Sequence, residues 1–182
     1  MRTRILPNRY FFVTLLIPVV VLLSMTVKPM MATMYGQTIA LQTVPYDPRD
    51  LFYGDYATLK YEISEVKASI LDKELALKLK KDQYLKGVPV YVSLKKKGKV
   101  YTAEKVSEKK PTSPIYLEGK LYPGYNETSG EPTYLVHYPF EQFYVEEGTG
   151  PKLEEMSRKG KLIVYLKVKD GYAILTNIEM SP

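Results

Sequence analysis

A mainly β (or α+β) fold behind an N-terminal transmembrane helix is predicted by three observations on this 182-residue chain. From Tyr10 to Val27 no residue is charged, and no polar face recurs at helical spacing. Beyond it, short runs of alternating apolar and polar residues follow one another, bounded by Pro, Gly and Asp. Seventeen tyrosines stand beside no tryptophan, and tyrosine favours strands because its ring suits a pleated surface while its hydroxyl reaches water. The expectation is one compact, mostly antiparallel β domain of about seven to nine strands with one or two short helices.

The apolar run YFFVTLLIPVVVLLSMTV spans about 27 Å as a helix, close to the thickness of a hydrocarbon core. It extends to Met34 if Lys28 snorkels to the headgroups and Pro29 is tolerated near the helix end. Pro18 predicts a kink at mid-span. Arg2, Arg4 and Arg9 precede the run and Lys28 follows it, which places the N-terminus in the cytoplasm and the rest outside. A cleaved signal peptide shares this order of charge and apolarity, but Met30 stands where a small residue is needed before Ala32, and Thr38 with Ala40 lies past the apolar core. Residues 1–9 therefore read as a cytoplasmic basic tail, 10–34 as an uncleaved signal anchor whose partner is the lipid bilayer, and 35–182 as an extracytoplasmic domain.

Charge and composition remove several function classes. The formal charge is +6, yet four of the 26 bases flank the apolar run, leaving 22 against 20 acids. A nucleic-acid partner needs a net basic face, which so balanced a domain does not supply. The absence of cysteine excludes disulfides, thiolate metal sites and thiol nucleophiles. His137 is the single histidine and cannot build a multi-histidine metal site. With no serine or cysteine motif around it, it reads as structural. No phosphate-binding glycine loop and no internal repeat occur. No catalytic residue, metal ligand or cofactor is assigned.

Unusual residues concentrate between Pro45 and Ile63, PYDPRDLFYGDYATLKYEI. Gly36 to Val44 predicts a first strand that Pro45, Asp47, Pro48 and Asp50 then break into a rigid double turn. Tyr53-Gly54-Asp55 makes a second turn. From Ala57, Leu59, Tyr61 and Ile63 alternate with Thr58, Lys60, Glu62 and Ser64, which predicts one half-buried strand. Asp47, Asp50, Asp55 and Glu62 beside Arg49 are oxygen donors for a cation or an acid–base pair. Their spacing matches no specific ligand pattern, and turn caps with an arginine bridge are the plainer account.

Gly54, Asp55, Tyr56, Leu59 and Tyr61 spell G-D-Y-x-x-L-x-Y, and this stretch resembles the GDYXXLXY-motif family of bacterial membrane proteins. Gln142 to Gly150, QFYVEEGTG, resembles a second, weaker block of that family, so the likeness covers most of the chain outside the anchor. The resemblance implies a location in the bacterial cytoplasmic membrane, with no established activity or cofactor. It also implies company with multipass membrane proteins.

The remaining elements follow in order. Ser69 to Lys86 predicts a short amphipathic helix on Leu71, Leu75 and Leu79, ended by Gly87. Val88 to Leu94 predicts a strand, the KKKGK run a turn, and Val100 to Val106 the returning strand. Lys95, Lys96, Lys97 and Lys99 read as a solvated turn that could also meet anionic lipid or wall polymer. Residues 109–114 and 123–132 read as loops between strands at 115–121 and 134–140. Pro151, Glu154, Glu155, Arg158, Lys159 and Gly160 signal a short helix. Asp170-Gly171 is the turn of a closing hairpin that sets Ala173 opposite Val168 and Leu175 opposite Leu166.

The functional expectation is an anchored, exported binding or accessory module. Its candidate surface is Asp47, Arg49, Asp50, Gly54, Asp55, Tyr56, Leu59, Tyr61 and Glu62, presented to an envelope partner. The alternatives are an anchored hydrolase of signal-peptidase-like layout and a cation or ligand sensor using the acidic cluster.

Overall fold

The computed structural model describes residues 8–44, 56–82, 86–124, 131–144 and 162–180. It is mostly antiparallel β with two α-helices. Helix α1 (Asn8–Tyr35) runs through both Pro18 and Pro29. Its segment Phe11–Tyr35 has 25 residues and is, by length and composition, long and apolar enough to cross a membrane. Its side chains from Phe11 to Lys28 are exposed, whereas Pro29 is half-buried and Ala32 is buried. At this end the helix meets the domain. Lys167 donates from Nζ to the Thr33 carbonyl at 2.6 Å, satisfying one of the acceptors that a helix end leaves free and placing a cation at the negative end of the macrodipole. Gly36 ends the helix, its N–H donating to Ala32 O at 3.0 Å. A Cβ there would collide with that carbonyl and press on Lys167, so only glycine lets the chain turn into the first strand at this spacing.

The strands are β1 (Gln37–Gln42), β2 (Tyr56–Thr58), β3 (Glu65–Lys67), β4 (Val88–Lys97), β5 (Val100–Ser107), β6 (Tyr116–Pro123), β7 (Thr133–His137), β8 (Gln142–Tyr144), β9 (Leu162–Lys169) and β10 (Tyr172–Met180). They form sheets of order β1-β9-β10, β2-β8 and β3-β7-β6-β4-β5. The two larger sheets turn apolar residues into one core. Ile39, Leu41, Val164 and Leu166 come from the first, Val90, Val92, Leu117 and Leu121 from the second. Helix α2 (Lys73–Lys81) adds Leu75 and Leu79 and exposes Leu77.

The closing hairpin has the expected register, Ala173 opposite Val168 and Leu175 opposite Leu166. Asp170 and Gly171 take φ of 49° and 82°, the two positive angles a type I′ turn demands. Several expectations need correction. Ten strands are present among the described residues rather than seven to nine, partly because the single strand expected from Ala57 to Ser64 is two. A 3₁₀ turn at Glu62–Ser64 separates β2 from β3. It forms because the Ser64 hydroxyl accepts from the Tyr61 N–H at 3.4 Å while the Ser64 N–H donates to the Tyr61 carbonyl at 3.0 Å, a local alternative to the strand ladder. Ser64, expected on the solvent face, is consequently buried. Helix α2 begins at Lys73 rather than Ser69, because Leu71 bridges Val106 and the Asp72 N–H donates to Val106 O at 2.8 Å. Lys95 to Lys97 belong to β4, and only Gly98 and Lys99 make the turn. The helix expected at Pro151 to Gly160 lies outside the described residues.

Candidate functional site, where two sequence blocks meet

Strand β2 pairs antiparallel with β8, Tyr56 opposite Tyr144, Ala57 opposite Phe143 and Thr58 opposite Gln142. The middle of the G-D-Y-x-x-L-x-Y stretch and the head of the second block are therefore neighbours in space. Leu59 N–H extends the pairing to Glu141 O at 2.8 Å. Thr43 bridges Tyr61, and the Val44 N–H donates to Lys60 O at 2.9 Å, so the end of the first segment of the domain lies beside Lys60 and Tyr61. Thr43 also clasps Leu162, accepting its N–H on Oγ1 at 2.9 Å and donating its own N–H to Leu162 O at 2.8 Å.

Leu59 and Tyr61 are core residues, 8% and 0% exposed. Tyr61 donates its hydroxyl to Phe140 O at 3.2 Å and meets the Phe140 ring edge-on at 5.3 Å. Tyr138 stacks on that ring from 5.2 Å and donates to Ile63 O at 3.0 Å. Glu62 is exposed. Tyr56 is described in its backbone alone, and Asp47, Arg49, Asp50, Gly54 and Asp55 lie outside the described residues. Of the nine candidate residues, the structure thus brings Tyr56, Leu59 and Tyr61 onto one frame, and Leu59 and Tyr61 build it from the inside.

Four contributors escaped the sequence reading: Thr43, Ser64, Phe140 and Glu141. Ser64 donates to Glu141 Oε1 at 3.3 Å, and Glu141 Oε2 lies 3.0 Å from His137 Nδ1. Glu141 is 13% exposed and His137 60%; the His137 ring also meets the Tyr122 ring edge-on at 5.1 Å. A nucleophilic triad would set the imidazole between serine and carboxylate, so that the ring takes the serine proton. Here the carboxylate stands between them, and the serine is buried. The arrangement ties the 3₁₀ turn to the Tyr138–Glu141 turn. Ser24, Ser107 and Ser113 donate to backbone carbonyls, and Ser64 to Glu141, so none of these hydroxyl bonds runs to a lysine amine. No group of three or more His, Cys, Asp or Glu able to hold a metal occurs among the described residues. The signal that could have found Glu141 is its position, directly before the second block.

Burial, and after it the Glu141 carboxylate, pushes the Tyr61 and Tyr138 phenols well above the ordinary tyrosine value of 10.0. Above that value the unfolded chain releases protons that the folded chain keeps, so the contribution is complete below pH 10 and is lost as pH rises toward the folded-state values. The expected slope is about 1.4 kcal/mol per pH unit for each tyrosine. Urea titrations between about pH 9 and 12 check this. Tyr61→Phe removes one of the two buried phenols and halves their joint contribution to the slope.

A family model described as "GDYXXLXY protein" matches residues 18–178. No curated protein and no solved structure matches the chain.

Proposed function

The chain belongs to the GDYXXLXY family, and on that premise we propose that it is a membrane-anchored, exported binding or accessory module. It presents the segment from Pro45 to Ile63, together with the second block, to an envelope partner, a multipass membrane protein first among the candidates. The observation that carries this reading is the pairing of β2 with β8. Two stretches about eighty residues apart in sequence are held on one frame. Leu59 and Tyr61 are committed to packing, and Ser64 and Glu141, which adjoin the two stretches, bond the turns together. Such a frame fixes the points from which the two segments depart, and binding residues are disproportionately carried on segments positioned by a rigid scaffold. Helix α1 supports the anchoring half of the reading by its length and apolarity, and the three arginines before it support a cytoplasmic N-terminus.

The test is a photocrosslinking residue placed at Asp50 of the full chain in living cells. The expected result is a discrete adduct with another protein in the membrane fraction, while the same probe at Lys81 on α2 gives none. Equal labelling from both positions, or none from Asp50, would overturn the proposal.

A further inference from the structure

We infer that the lysine-rich tip of the β4–β5 hairpin lies on the bilayer surface and binds the phosphate headgroups of anionic lipid. This inference rests on the reading of α1 as a membrane span.

Strand register places the tip. Tyr35 and Gln37, where α1 passes into β1, line a notch of about 160 Å³ with Pro114, Tyr116, Asp170 and Gly171. The start of β6 and the β9–β10 turn, bridged through Leu117 and Gly171, are therefore at the end of the domain where α1 enters. Strand β4 pairs Ser93 with Tyr116, and the Leu94 N–H donates to Ile115 O at 3.1 Å. Lys95, Lys96 and Lys97 thus run past the first residue of β6. At the strand rise, Lys97 stands about 13 Å beyond Tyr116. Apolar helix, notch and hairpin share one end of the molecule.

Charge on that end is mostly unmatched. Lys95 lies 3.5 Å from Glu104, and Lys169 lies 3.6 Å from Asp170. Lys96, Lys97 and Lys99 are exposed and have no carboxylate partner among the described residues. Lys110 sits 5.5 Å over the Tyr116 ring. Counting outward from Phe11, a hydrocarbon core is filled by about 20 helical residues, so Tyr35 emerges at headgroup depth and these lysines are within reach of phosphates. Lysine gains attraction near an anionic surface, about fivefold in partition for each residue. The pairing of Val88 with Leu121 puts the far end of β4 at the opposite pole, and the free lysines of α2 lead toward it. They supply a matched control.

The full chain has no cysteine, so one introduced cysteine takes a fluorophore uniquely. Lys97→Cys and, separately, Lys81→Cys are placed in nanodiscs containing a headgroup-quencher lipid, with and without phosphatidylglycerol. The expected result is quenching at position 97 that rises with phosphatidylglycerol, with little at position 81. Adding Lys96→Glu and Lys99→Glu should lower the ratio of bound to free tip by about tenfold or more, with a thermal melt equal to the parent's. Quenching that is equal at both positions, greater at position 81, or indifferent to the charge reversal would overturn the inference while leaving the anchor intact. Tip lysines that engage a phosphate-rich wall polymer and not lipid would give that indifferent result. Failure of the chain to enter nanodiscs would remove the anchor and this inference together.

Discussion

Tyr61→Ala is expected to destabilise the domain by about 3–5 kcal/mol, the range for emptying a buried aromatic site. The site cannot refill easily, because Tyr61 is wholly buried and its ring abuts Phe140. The hydroxyl removed also leaves the Phe140 carbonyl without its donor. Phe140 adjoins Glu141, so the loss falls on the segment that leads into β8. For a domain of this size the melting temperature should fall by roughly 10 °C or more, read by far-ultraviolet circular dichroism of the full chain in detergent. Glu62→Ala, the next residue but exposed, should change stability by less than about 0.5 kcal/mol. Equal effects at the two positions would show that Tyr61 does not hold the frame.

The second large effect concerns α1. Val20→Arg together with Leu23→Arg puts two guanidinium groups one turn apart in the middle of the apolar run. Each costs about 2.5–3.5 kcal/mol near the centre of a spanning helix. The double variant should shift from the membrane pellet to the soluble fraction. Both positions are exposed and distant from the docked end at Ala32, so the melt of the β domain should not move. Retention in the pellet after carbonate washing would contradict a spanning helix.

Local chemistry accounts for what was legible beforehand. Asp170-Gly171 announced its hairpin because an Asp-Gly pair supplies both positive φ angles and the flanking alternation sets the register as far as Leu175, beyond which the pairing shifts at a bulge. The inward set Leu59, Tyr61 and Ile63 was legible by period, and all three are buried. The break at Glu62–Ser64 was not, since alternation survives a single 3₁₀ turn for three residues and the Ser64 hydroxyl that drives the turn looks like any solvent-facing serine. Nor was the pairing of β2 with β8 readable. Three residues against three leave no periodic signature, and the contact spans most of the domain's sequence. His137 and Glu141 illustrate the same limit. Four residues apart, they would not meet along a strand; the turn closed by Glu141 N–H to Tyr138 O at 3.2 Å brings them together. Of the acidic part of the candidate surface, Glu62 is exposed, and Asp47, Asp50 and Asp55 lie outside the described residues.

The measurement that bears most directly on a rigid frame that presents the motif segment to a partner is Asp55→Ala in the full chain, read by two signals at once. One is the thermal melt; the other is the set of proteins captured from crosslinked membranes. The account predicts a melt within about 0.5 kcal/mol of wild type in stability terms, with the partner captured by wild type missing from the variant. A melt lowered as far as that of Tyr61→Ala, or capture unchanged from wild type, would contradict it.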